Sequence, residues 1–238
     1  MAEEPQTLLD FPAQFQQKAL ELIESIIPLS SAVFYLLDPA INHRGVVRFN
    51  MDRDTDNEYF THFNRLDPLD PRKFDNTDDR VVSIDSLMPF HQLRQTIYYQ
   101  DFMQPTDHRY VADFFFRQQG RVVAVISCLR QEALGPYTGE ELALLRKLQP
   151  FLEYTLNTVY LPKRVGQRQS LSEKYALTQR ELDVLELVVT GANNKRIANE
   201  LALGLSTVKT HLIHIFKKTE VSSRTELFSK VVSELHHR

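Results

Sequence analysis

The 238-residue chain contains no tryptophan, one cysteine and only 7 glycines. Each shortage excludes something. A lone cysteine, Cys128 in "VVAVISCL", cannot build a disulfide framework and is read as a buried small hydrophobe in a cytoplasmic protein. Seven glycines leave little material for phosphate-cradling loops, and no P-loop, G-x-G-x-x-G, H-E-x-x-H or G-x-S-x-G pattern occurs. No apolar run approaches the ~18 residues of a membrane span. The opening "MAEEPQTLLD" is acidic, unlike a secretory signal. "DRDTDNE" (52–58) imitates the start of a calcium loop, but Asn57 and Phe63 stand where Gly and Glu are required. Neither metal nor cofactor is expected. An acid/base pair of His62 and Asp67 is the enzymatic alternative to a non-enzymatic protein.

What is present is a charge asymmetry. Residues 1–162 hold 15 basic and 23 acidic side chains, a balance of −8, whereas residues 163–238 hold 13 and 8, a balance of +5. A basic end on an acidic body points to an anionic partner for the C-terminal part alone. The boundary falls at "LPKRVGQRQSLS" (161–172). This stretch is polar and basic with Pro162 and Gly166, so residues 163–172 read as a linker between a domain at 1–162 and one at 173–238.

The first domain alternates helical and extended patterns. Residues 12–26 predict an amphipathic helix. "SSAVFYLLD" and "VVRFNMD" predict two strands joined by a loop around Asn42–Gly45. Residues 55–66 predict an aromatic-rich helix, "RVVSID" a short strand, and 85–104 helical turns. "YVADFFFRQQGRVVAVISCL" predicts a hairpin turning at Gln118–Gly120, and 139–160 a long helix with Pro150 inside. The implied class is α+β, an antiparallel sheet flanked by helices. Phe34, Tyr59, Phe63, Phe90, Tyr98, Tyr99, Phe102 and Phe114 could line a pocket between sheet and helices, or simply fill a core. Asp67 before Pro68 reads as a turn-initiating residue.

The second domain shows no strand, only four short helical segments. Thr178 and Glu181 make a capping box opening the first, which Gly191 closes. Asn193 caps the second, and Ser223 with Glu226 opens the last. The turn "ALG" joins the second and third, the shape of a helix-turn-helix. On the third helix, Leu205, Val208, Leu212, Ile215 and Phe216 share one side, facing Leu185, Ile197 and Leu201. Ser206, Thr210, Ile213 and Lys217 lie opposite, with Lys209 at the margin. Cations, hydroxyls and a lone aliphatic suit a DNA major groove; a solvated bundle helix is the alternative. Residues 191–230 carry 7 basic and 3 acidic side chains.

The segment from Leu177 to Leu227 resembles the LuxR-type helix-turn-helix through "LTQRE" (177–181), "VLELV" (184–188), Gly191, "IA" (197–198), Leu201, "TVKTH" (207–211), Ile215, Lys218, Val221 and Arg224. The resemblance implies an all-α, four-helix DNA-binding module whose third helix enters the major groove. Lys209 stands at the position the family most often uses at the DNA. Ser206, Thr207, Thr210, Ile213, His214 and Lys217 are its neighbours there, and Lys195 and Arg196 supply cations from the helix before. Glu181 and Arg224 are structural in this reading, as a pair. Gly204, Arg196 and Thr219 depart from the family's usual Ser, Glu and Leu. They imply a weaker cap on the third helix, a lost capping box on the second, and looser packing after the third.

Ahead of the module, "YFTHFNRLDPLDP" (59–71) resembles autoinducer-type sensors, in which Asp67 would hold a ligand amide. Their Trp and Tyr positions fall on Asp54 and Glu58 here. "DPLDP", "YYQDFMQP" and "FFFRQQGR" resemble orphan LuxR-type regulators with a GAF-like domain. Those motifs do not name a ligand; the candidate ligand set, from the aromatic pocket and Asp67, is Tyr59, Phe63, Asp67, Phe90, Tyr98, Tyr99 and Phe102. The expected partners are double-stranded DNA, a second copy of the chain and a small molecule, with no membrane. Leu145, Leu148, Leu152 and Leu156, with Leu227, Val231 and Leu235, read as dimer contacts or as intradomain core.

Overall fold

The computed structural model describes residues 13–38, 41 and 43–236. Contacts separate two compact units, Phe15–Val159 and one built on Tyr160–Arg238.

The first unit contains α1 (Ala13–Ile26), β1 (Ser31–Leu37), β2 (His43–Phe49), α2 (Arg53–Glu58), β3 (Val81–Ser83), α3 (Ile84–Leu87), α4 (Phe90–Leu93), β4 (Tyr110–Gln118), β5 (Arg121–Arg130) and α5 (Gly139–Thr155). Tyr59–Phe63 and Tyr98–Met103 are π-helical turns, and Pro71–Phe74 is a 3-10 turn. The strands form one antiparallel sheet in the order β2-β1-β5-β4-β3. The expected β4–β5 hairpin turns at Gln119 and Gly120, with φ of 52° and 82°, as a two-residue connection between right-twisted strands requires. The expected loop around Asn42–Gly45 is corrected. Asn42 lies outside the described residues, but β2 begins at His43, and Gly45 sits inside it at φ 55°. The β1 register slips between Phe34 and Leu36 in the same pairing, so this glycine marks a bulge rather than a loop.

The sheet is covered on both faces, which is why all seven β1 residues are buried and the strand reads as an unbroken apolar run. One face carries Ala32, Phe34, Ala112, Phe114, Phe116, Ile126 and Cys128, all buried, against α1 and α5. Phe15 meets Phe34 edge-on at 5.9 Å, and Gln149 Nε2 donates to the Phe115 carbonyl at 2.8 Å. The other face presents Val33, Tyr35, Val111, Phe115, Val125 and Leu129 to the aromatic segments between β2 and β4. Phe34 and Phe114, expected as pocket walls, therefore point away from that space. Leu145, Leu152 and Leu156 are buried within this unit, and Leu148 is half-buried, which favours the intradomain alternative over dimer contacts.

The second unit contains α6 (Leu161–Tyr175), α7 (Gln179–Val189), α8 (Asn194–Glu200), α9 (Leu205–Thr219) and α10 (Arg224–His236). Residues 163–172, expected as a linker, form most of α6. Pro162 stands in its first turn. The basic residues that suggested a solvated linker are partners of α7: Arg164 meets Glu186 at 2.7 Å and Arg168 meets Asp183 at 2.9 Å. Leu171 enters the core with Leu182, Leu185, Val188, Ile197, Leu201, Val208, Leu212, Ile215, Leu227 and Val231. Leu227 and Val231 are thus core as well, and the side chain of Leu235 lies outside the described residues. Leu205, expected to face inward, is 51% exposed.

The caps follow the sequence with one shift. Thr178 and Glu181 form the full box, and Gly191 at φ 79° closes α7 with its N–H on the Val188 carbonyl at 3.0 Å. Asn193 accepts the Arg196 N–H at 2.9 Å. Ser223 accepts the Glu226 N–H at 3.2 Å, but Glu226 reaches back to the Ser222 N–H at 2.8 Å. Between α8 and α9 the chain turns through Ala202 at φ 50°, a conformation that costs a residue with a Cβ on the order of 1 kcal/mol. Ala202 is exposed. Ala202→Gly will raise the stability of this unit by about 1 kcal/mol, read from the denaturation midpoint; an unchanged or lower midpoint would show the methyl group to be stabilising.

Candidate functional site

Three features place α9. Val208, Leu212 and Ile215 bury its inner side. Glu181, 3% exposed, accepts from Lys218 Nζ at 2.7 Å and from the Thr178 N–H at 2.8 Å, tying the end of α9 to the start of α7. Burial alone would raise the Glu181 carboxyl; the Lys218 ammonium and the Thr178 bonds outweigh it and hold it below the usual range. Thr219 is fully buried, with its hydroxyl donating to the Ile215 carbonyl at 2.7 Å, so the departure from leucine is absorbed inside the helix. The expected Glu181–Arg224 pair is corrected: Glu181 takes Lys218, and Arg224 donates to the Ala192 carbonyl and to Asn194 Oδ1.

The outer side of α9 carries Ser206, Thr207, Lys209, Thr210, Ile213, His214 and Lys217, every one exposed, and no carboxylate. Ile213 is 64% exposed. The Thr210 hydroxyl donates to the Ser206 carbonyl at 3.1 Å. Among the described residues Lys209 and Lys217 have no ion pair, while His214 Nδ1 lies 3.8 Å from Glu181. Gly204 gives the helix no side-chain cap, so its first-turn N–H groups keep their hydrogen-bonding capacity. On α8, Lys195 is exposed without an ion pair among the described residues. Arg196 is held by Glu200 and is no longer a free cation.

In the first unit a small recess of about 40 Å³ lies over the sheet. Of the expected ligand set it is lined by Tyr59, Asp67, Tyr98 and Phe102. Phe63 instead stacks on Phe102 at 5.2 Å, and Phe90 meets Tyr99 edge-on at 5.5 Å with Arg109 over its ring, so these three stand outside the lining. Sequence reasoning missed Tyr35, Phe60, His108 and Ser127. Tyr35 and Ser127 fall on the inward face, opposite Phe34 and Cys128, but with both faces of the sheet covered nothing in the sequence tells one face from the other.

Asp67 is 4% exposed and does two things. Its Oδ1 accepts the Leu69 N–H at 2.7 Å, the expected turn. Its Oδ2 accepts the Tyr59 and Tyr98 hydroxyls at 2.8 and 3.0 Å, which brings three sequence-predicted residues together. Burial pushes the Asp67 carboxyl up against these bonds. His62 is exposed on the segment before it, so the acid/base alternative finds no paired geometry. Among the described residues no group of three or more metal-ligating side chains occurs, and no helix is long and apolar enough to cross a membrane.

The model for bacterial regulatory proteins of the luxR family matches residues 175–231. A monoamine regulon transcriptional regulator from Klebsiella aerogenes is 35% identical over 217 residues, 90% of this chain and 88% of that one. The transcriptional regulatory protein LiaR of Bacillus subtilis is 47% identical over 51 residues, 21% of this chain and 24% of that one. Among solved structures, SdiA of Escherichia coli shares 15% identity over 92% of this chain and 89% of that one, with a TM-score of 0.41. With a family match on its basic helical end and a transcriptional regulator matched along nine tenths of its length, this chain belongs to the LuxR family of bacterial regulatory proteins.

Proposed function

We propose that this transcriptional regulator reads a specific DNA site with α9 in the major groove and acts as a homodimer whose N-terminal recess takes a small-molecule signal. The exposed face of α9 carries the reading. Lys209 and Lys217 have no carboxylate partner among the described residues, so their charge remains available to guanine edges or phosphates. Ser206 and Thr207 stand in the first turn, where hydroxyls and N–H groups suit a phosphate. Ile213 is poorly placed for water, but its branched methyls match a thymine C5-methyl. Lys195 on α8 supports the backbone contact. One such helix reads few base pairs, and two copies one helical turn apart give a longer, approximately palindromic site. A signal in the recess acts by binding the DNA-competent arrangement more tightly than the other.

Lys209→Ala in the full chain tests the interface. Genomic fragments selected by the native protein should show a roughly two-fold symmetric footprint. The variant should lose about 1–3 kcal/mol of affinity, with relaxed preference at one position per half-site. An unchanged footprint and affinity would remove Lys209 from the reading set.

A further inference from the structure

The recess has buried carboxyl groups at and behind its wall and no lysine or arginine in its lining. Asp113 lies on the inward face of β4, directly across from Ser127 of β5, which lines the recess. It is 2% exposed, and its Oδ1 has no hydrogen-bond partner. Tyr35, on the recess wall and 1% exposed, turns its buried hydroxyl to that of Tyr59, which gives its own proton to Asp67. Asp67 lines the recess, and Asp113 stands behind Ser127, bonded to it and near enough for Asp67 to act on its titration. None of the residues lining the recess is a lysine or arginine. The one imidazole there, His108, is engaged by Ser31 at 3.1 Å and Thr106 at 3.0 Å, and burial pushes it down to about 4, so it is neutral. Lys73 reaches the Asp67 main-chain carbonyl at 2.7 Å, but from the exposed side and not through the carboxylate. Burying an ionised carboxylate without a counter-charge costs several kcal/mol.

We infer that the recess binds a small organic amine, its ammonium group received by Asp113, Tyr35 and Asp67 and its apolar body lying on the rings of Tyr59, Phe60 and Phe102. The inference rests on the small-molecule reading above and gives it a chemical class. An ammonium brings three donors to a site with unused acceptors, and the aromatic walls add a face that attracts cations. Met51, Val33, Val111 and Leu129 complete an apolar lining that a hydrocarbon body fits. In the free protein burial holds the Asp113 carboxyl well above the usual range, with Asp67 adding to the shift and Ser127 opposing it. Docking a cation needs the ionised form, so binding releases a proton and affinity rises with pH until the amine itself deprotonates.

Calorimetric titration of the full chain with 2-phenylethylamine and n-butylamine, each beside its alcohol of matched shape, tests this. At least one amine should bind ten-fold or more tighter than its alcohol, with affinity climbing between pH 5 and pH 8 and a proton released. Asp113→Asn should lose ten-fold or more while keeping its circular dichroism, and Tyr35→Phe should lose less. An alcohol bound as tightly as its amine would overturn the cation and leave the small-molecule reading standing. Binding of neither kind at millimolar concentration would overturn both. Should Asp113→Asn fail to fold, the amine-to-alcohol ratio and the proton release in the native protein decide alone.

Discussion

Raising the salt from 50 to 200 mM will weaken specific DNA binding by roughly 10³-fold. The expectation comes from counting which cations the fold leaves free. Lys195, Lys209 and Lys217 are exposed and without an ion pair among the described residues, whereas Arg196, Lys218 and Arg224 are occupied by Glu200, Glu181 and the Ala192 carbonyl. Three per copy in a dimer give about six neutralised phosphates and a log–log slope near −5. A slope near −7 would show that Arg196 leaves Glu200 on the DNA. A slope near zero would remove the electrostatic basis of the interface altogether.

Phe63→Ala will cost the N-terminal unit about 3–5 kcal/mol, the range for emptying a packed aromatic site. Phe63 is 9% exposed and stacks on Phe102, which lines the recess, so the loss acts on the floor under that wall. The chain has two units, so one midpoint does not describe it. Only the transition of the N-terminal unit should move, with that of the helical unit in place. A loss below about 1 kcal/mol would mean that the site collapses around the missing ring or that Phe63 borders open space.

The helical module was the more legible of the two units because its signals are local. Capping residues, the Ala–Leu–Gly turn and the inner stripe of α9 lie within a few positions of what they organise. The errors there concern charge. Arg164 and Arg168 looked like solvated linker residues because their acidic partners on α7 are distant in sequence, and the same distance hid that Glu181 chooses Lys218 over Arg224. In the N-terminal unit, burial of both sheet faces erased the alternation that would have sorted Phe34 and Phe114 from Tyr35 and Phe115. The π-helical turns at 59–63 and 98–103 depart from the 3.6-residue period, so helical expectations there could not tell which rings reach the recess. Asp113 was the overlooked signal: a carboxylate at an inward position of a strand reading "YVADFFF" has no apolar reason to be there.

The lone thiol has a practical consequence. Cys128 is wholly buried on the α1-facing side of β5, where burial pushes its thiol up and keeps it unreactive. It can meet an alkylating reagent only when the central strand leaves the sheet. With one thiol in the chain, the labelling rate is a clock for opening of the N-terminal unit alone, blind to fraying of the C-terminal helices. Any molecule that settles in the recess slows that clock by the factor with which it stabilises the closed sheet.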